Sequence, residues 1–261
     1  SGAVAGTSIN LDRKRTAELL GFSAISRNSI DATSDRDFLI ELAFGCATVA
    51  MHLSRWCEDW ILYSSTEFGM LQLHDAYCTS SSMMPQKKNA DTLELIRGKT
   101  ATAFGSLMSL LTMVKSLPLA YNRDMQDDKR FAFETVKQTL LALQVAPGIV
   151  STAKFREAAI AASIDKGFLD ATALAEYLVN RGVPFRTAHH IVGQLVATAE
   201  TQGASLAELD LATFQAASKS VGKDVYTYLT AKNVVKRYAP DGAGGQKQLT
   251  KQLAFWSRKL K

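Results

Sequence analysis

One stretch of this chain gathers residues able to do acid–base chemistry beside an anion. Thr79-Ser80-Ser81-Ser82-Met83-Met84-Pro85-Gln86-Lys87-Lys88-Asn89 sets consecutive serines ahead of a proline, two lysines and an asparagine. The hydroxyls offer several candidate oxygens. Lys87, Lys88 and the free N–H groups at the start of a following helix would concentrate positive charge. A serine alkoxide is ordinarily too basic to take a proton, and becomes usable where cations and oriented N–H groups stabilise it. The stretch reads as an anion site with a hydroxyl beside it, or, more blandly, as a solvated Ser/Lys linker. His52 and His74 sit in no setting that would make a serine a triad nucleophile.

Such a loop needs rigid elements on both sides, and the apolar spacing supplies them. Leu39, Leu42, Cys46, Val49, Leu53, Trp56, Trp60 and Tyr63 step by threes and fours, the seam of a long helix over about 35–66, with Ser34 and Asp37 as an N-terminal cap. A second seam runs Leu93, Ile96, Thr100, Ala103, Leu107, Leu110, Val114, with Asn89 as its N-cap and Pro118 beyond its end. Gly98 and Gly105 inside it call for a close helix–helix approach. A third seam, Phe133, Val136, Leu140, Leu143 and Val150, runs from about 126 to 153, with Pro147 expected to kink it. Beyond about Asp165 the helices shorten: 170–181, 185–203, one behind a Ser205/Glu208 capping box, then 231–238 and 247–260. No strand of convincing length emerges. The fold class expected is all-α: a long-helix bundle over 1–164 carrying the serine loop (67–89), followed by a smaller helical domain over 165–261.

Composition narrows the function classes. The 261 residues carry net charge +5 with basic residues scattered among acids, which reads as a mildly basic surface rather than a nucleic-acid footprint. Apolar stretches are broken before the roughly 20 residues a membrane helix needs, and 1–11 does not read as a secretory signal. Cys46, Cys57 and Cys78 are odd in number, and the first two fall about 16 Å apart on one expected helix. A soluble chain of a reducing, cytoplasmic compartment follows as the expectation.

The segment Ser80-Ser81-Ser82-Met83-Met84-Pro85-Gln86-Lys87-Lys88-Asn89 resembles the G-S-S-x-M-P-x-K-x-N signature loop of the fumarase/aspartase superfamily. Its Gln86-Lys87-Lys88-Asn89 form is similar to the argininosuccinate lyase branch. Asn28–Phe38, Leu93–Lys99 and Leu117–Lys129 are similar to further stretches of that family, so the resemblance spans essentially the whole chain. It implies reversible β-elimination of argininosuccinate to arginine and fumarate, with no metal or organic cofactor. It also implies a homotetramer whose active sites each form from three subunits.

Carried over position by position, the resemblance makes Ser81 the catalytic serine, with Lys87 stabilising the substrate carboxylate and Asn89 binding it. Glu94 would orient the catalytic histidine of a neighbouring subunit, and Tyr121, Gln126 and Lys129 would bind substrate. The bland alternatives are interhelix residues for Tyr121 and Gln126, a solvated charge for Lys129, a first-turn dipole partner for Glu94, and an ion pair from Arg36 to Asp35 or Glu41. His189 and His190 match no catalytic position of the family and read as structural. Two motif positions depart from the pattern: Ser80 stands for Gly, where a positive φ would be strained, and Ala90 stands for Pro. The family also carries an N-terminal region, with a catalytic Thr-His pair, ahead of the segment that opens this chain. The chain is therefore expected to be a C-terminal portion, inactive alone. A non-catalytic delta-crystallin-like protein and an adenylosuccinate lyase are the rival readings.

Overall fold

The computed structural model describes residues 4–84, 86–164 and 166–260. The chain divides into two compact units, Ser1–Arg156 and Glu157–Lys261. The sequence reading had placed its boundary after residue 164.

In the first unit, two short helices, α1 (Arg13–Leu20) and α2 (Ser29–Ser34), precede three long ones: α3 (Asp37–Ser64), α4 (Asp91–Val114) and α5 (Asp128–Thr152). These three pack pairwise into an up–down–up bundle. Cross-links fix the direction. Thr100 Oγ1 on α4 donates to the Ala50 carbonyl at 3.1 Å, Arg97 pairs with Glu58, and Arg36 at the start of α3 meets Asp128 at the start of α5. Two minimal ladders sit at the end where α3 stops and α4 begins. There β1 (Leu71–Gln72) pairs with β4 (Lys154–Phe155), and β2 (Thr79–Ser80) with β3 (Lys88–Asn89). A cluster of Cys57, Leu71, Leu73, Leu93, Ile96 and Ile149 underlies them. Burial pushes the Cys57 thiol up to about 12.

The α4 seam is placed as expected, with Leu93, Ile96, Thr100, Ala103 and Leu110 buried. The α3 seam is met in part and the α5 seam is not. Helix α3 buries Ala43, Ala47 and Cys57, and α5 buries Ala132, Thr135, Thr139, Ala146 and Ile149. On α3, Leu53, Trp56 and Trp60 pack half-buried against the cluster of Cys57, Leu93 and Ile149, while Leu42 and Val49 stay exposed; on α5, Phe133, Leu140, Leu143 and Val150 all do. Small side chains let backbones approach closely, so α5 and the first half of α3 turn alanines and threonines to their neighbours and large apolar residues outward. Gly98 and Gly105 have open space where a Cβ would stand, so no close approach within the chain accounts for them.

Local caps also differ from expectation. Arg36 and Ala90 occupy the N-cap positions of α3 and α4 without side-chain caps, while Ser34 Oγ bonds back to Asp31 and Asn89 joins β3. Helix α3 is long and apolar enough to cross a membrane by length and composition, because Glu41 is the only Asp, Glu, Lys or Arg between Phe38 and Leu53. It is nonetheless the bundle partner of both α4 and α5.

The second unit holds α6 (Glu157–Ile164), α7 (Ala171–Val179), α8 (Phe185–Gln202), α9 (Leu211–Ala217), α10 (Ala231–Arg237) and α11 (Gln246–Lys259). Its core closes on Leu174, Tyr177, Leu178, Leu195, Leu206, Phe214, Val225 and Leu229. The Tyr177 hydroxyl accepts from Gly222 N and donates to Asp224, which Arg181 also grips at 2.7 Å. Asp170 is buried and accepts from Thr230 N at 2.9 Å. The Ser205/Glu208 capping box forms, around a single 3-10 turn rather than an α-helix, and Asp210 caps α9.

Candidate functional site

The serine loop is a closed hairpin. Thr79 pairs with Asn89 and Ser80 with Lys88, so residues 81–84, 86 and 87 lie between two paired strand ends. Ser80 therefore has extended, ladder-paired backbone, and the glycine of the family pattern is not needed for a positive φ here. Ser81 Oγ accepts the backbone N–H groups of Met83 and Met84, each at 3.2 Å. Two amides aimed at one hydroxyl oxygen favour negative charge on it, which is what a serine acting as a base requires.

The two lysines separate in role. Lys88 pairs with Asp75 of the 3-10 turn Asp75–Tyr77, and that hydrogen bond holds the Asp75 carboxyl below the usual carboxylate range. Lys87 is exposed and makes no ion pair among the described residues. The expected gathering of both charges thus reduces to Lys87. Asn89 is half-buried beside it in β3, and Glu94 is exposed in the first turn of α4. Asp91, also in that turn, has a buried Oδ1 with no hydrogen-bond partner among the described residues. Pro85 lies outside the described residues.

Tyr121 and Gln126, between α4 and α5, and Lys129, in the first turn of α5, lie at the other end of the bundle, and all three are exposed. Asn122 Nδ2 braces the turn before them by donating to the Pro118 carbonyl at 3.1 Å, across Ala120 at φ 101°. Lys129 Nζ donates to Asp128 Oδ1 at 2.8 Å, and Arg36 Nε donates to Asp128 Oδ2 at 2.6 Å. The Asp128 side chain is only 4% exposed. Burial pulls its pKa upward, but the hydrogen bonds and charges of Lys129 and Arg36 win, leaving it lowered. Arg36 therefore pairs with neither acid expected from the sequence; it meets Asp35 only through that residue's carbonyl.

The 24 residues of α4 stand between the two groups. At 1.5 Å per residue that is roughly 36 Å, far beyond the reach of one small substrate. Ser81, Lys87, Asn89 and Glu94 lie at the N-terminal end of α4, and Tyr121, Gln126 and Lys129 beyond its C-terminal end. Sequence reading missed Asp128, whose signal was a carboxylate beside Lys129, and Asp75, which had none. His189 and His190 are exposed on α8 in the second unit. Among the described residues no group of three His, Cys, Asp or Glu side chains gathers to hold a metal ion.

Residues 1–105 match the family described as "Lyase" and residues 168–236 the one described as "Argininosuccinate lyase C-terminal". The chain is 45% identical to the argininosuccinate lyase of Rhodopirellula baltica, over 99% of this chain and 56% of that protein. With the argininosuccinate lyase of Carboxydothermus hydrogenoformans the identity is 48%, over 97% of this chain and 56% of the relative. The chain thus spans little more than half the length of these curated relatives. A solved EDDS lyase variant with bound fumarate superposes with a TM-score of 0.84 at 27% identity, covering 99% of this chain and 53% of that one. By matched families, by identity along nearly its whole length and by fold, this chain belongs to the argininosuccinate lyase family of the fumarase/aspartase superfamily.

Proposed function

We propose that this chain supplies the serine-loop share and the substrate-holding share of argininosuccinate lyase active sites that several copies build together. The observation that carries this reading is the length of α4 between the two groups of candidate residues. One chain offers Ser81 at one end and Lys129 at the other, so a complete site needs the loop end of one copy against the far end of another. A homotetramer with three subunits at each site meets that need. The exposed apolar stripes of α3 and α5 support it, being too large for a solvated face.

In the reaction, Ser81 removes a proton from the carbon beside a carboxylate of the succinyl part. The electron pair moves into that carboxylate, giving a dianionic aci form that Lys87 and Asn89 stabilise. The pair then returns to form the carbon–carbon double bond as the carbon–nitrogen bond breaks. The departing guanidino nitrogen takes a proton from an acid, and the products are fumarate and arginine. The amides of Met83 and Met84 ease formation of the Ser81 alkoxide. Glu94 orients a histidine of a neighbouring subunit, while Tyr121, Gln126 and Lys129 hold the substrate. No metal or organic cofactor takes part. That a related EDDS lyase variant binds fumarate supports fumarate as the product here. A cytoplasmic setting suits three cysteines that remain free thiols.

His189 and His190 match no catalytic position of the family, and the chain alone is expected to be inactive. The test is fumarate release from argininosuccinate, followed by absorbance. It uses the chain alone and the chain mixed with a full-length relative whose serine matching Ser81 is replaced by alanine. Activity only in the mixture is the expected outcome. Silence from a folded chain in the mixture defeats the reading, and activity from the chain alone defeats the shared site.

A further inference from the structure

Helix α5 carries an anomaly in its last turns. Pro147 and Gly148 stand together inside it, the first lacking a hydrogen-bond donor and the second favouring freedom over helix. Neither belongs to the candidate site. What lies against Gly148 is Tyr77, the last residue of the 3-10 turn that leads into the serine hairpin. A Cβ built on Gly148 would stand 2.0 Å from the Tyr77 hydroxyl oxygen and 2.9 Å from Cζ. Contacts this close do not occur, so the ring keeps its seat only while position 148 has no side chain.

From that ring the chain runs through Cys78 directly into β2 and Ser81. The neighbouring ties reach the same loop from other sides. The β1–β4 pairing and the Arg156 N to Met70 carbonyl bond at 2.8 Å anchor its entry to the end of α5. The Asp75–Lys88 pair and the β2–β3 ladder close the hairpin on itself. The tyrosine seat is the tie that sets where the closed hairpin rests on the bundle.

We infer that Tyr77 seated on Gly148 positions the serine loop, making the two a matched pair of positioning residues for Ser81. The inference rests on the proposed role of Ser81, but its structural half can be read without any activity. Helix propensity by itself favours alanine over glycine at 148, so damage from Gly148→Ala cannot come from a weakened helix.

The test labels the methyl groups of the seven methionines in the 261-residue chain and records their resonances. Met83 and Met84 report the loop, and Met125, buried at the far end of the bundle, is the internal control. Gly148→Ala is expected to shift Met83 and Met84 and leave Met125 in place. In the mixture assay it should lower fumarate release by at least about tenfold, the scale of a misplaced reacting group. Gly148→Ala combined with Tyr77→Phe removes the nearest colliding atom, leaves only the Cζ contact at 2.9 Å to be relieved by a small shift, and should restore part of both signals. Unmoved loop methyls in Gly148→Ala would overturn the inference, as would equal shifts at Met125 or no recovery in the double variant. Loop shifts that recover in the double variant, with no activity from any chain, would uphold the seat and fault the role given to Ser81.

Discussion

The two compact units enclose their large apolar side chains to different degrees. In the second unit Leu174, Tyr177, Leu178, Leu206, Phe214 and Val225 are fully enclosed by residues of the same unit. In the first, Leu93, Ile96, Leu110 and Ile149 are buried with Ala43, Ala47, Ala103, Ala132 and Ala146, while Phe133 is 71% and Leu140 52% exposed on α5. Burying a Leu or Phe contributes about 1.5–3 kcal/mol, several times what an alanine contributes. The outer face of α5 therefore holds apolar stabilisation in reserve for surfaces outside the first unit. A bundle whose candidate site is divided between its two ends has the same need for neighbours as its exposed stripes.

That contrast can be broken by substitution. Leu174→Ala removes a side chain with no exposure and should cost about 3 kcal/mol, read as a lower urea midpoint at unchanged slope. A cost below about 1 kcal/mol would mean that the second unit is no better packed than the first. Asp128→Asn should cost nearly as much at neutral pH, about 3 kcal/mol, because it leaves Arg36 half-compensated in a site only 14% exposed. The acid side gives the sign. The folded carboxyl titrates below its ordinary value of 3.8, so its contribution is complete above that value and is lost as pH falls through the lowered one. The gap between wild type and Asp128→Asn should thus begin to narrow below pH 3.8 and close only once pH falls below the lowered folded value; a gap that does not narrow on further acidification would point to packing rather than charge. Phe133→Ala is the smallest in the chain itself, under about 0.5 kcal/mol in unfolding of dilute monomer. Sedimentation at higher concentration should nevertheless show weakened self-association. A large unfolding cost without that change would mean the stripe is not held for a partner.

Much of the first unit was legible along the chain because helices obey a local period. The three long helices fall within a few residues of the spans read from apolar spacing, and the α4 seam is buried as read. The α5 seam and the first half of the α3 seam were misplaced for one reason. Periodicity picks out the bulkiest stripe and assigns it to the nearest neighbour, whereas the chain uses small residues for its own contacts. The capping expectation at Ser34 failed because its hydroxyl turns back to the Asp31 carbonyl at the end of α2, and that at Asn89 because the β2–β3 ladder claims it.

The residue types by themselves determined the chemistry on offer: a serine among amides and cations, a helix rich in alanine and long apolar side chains, and a motif specific enough to mark its family. Those properties are local, set by composition and by spacings of a few residues. The tertiary structure alone decided which residues meet. It separated Ser81 from Tyr121, Gln126 and Lys129 by the length of α4, joined Arg36 to Asp128 across 92 positions, and set Tyr77 on Gly148. Each depends on where two distant segments stop beside one another, which packing of whole helices settles and no local pattern encodes.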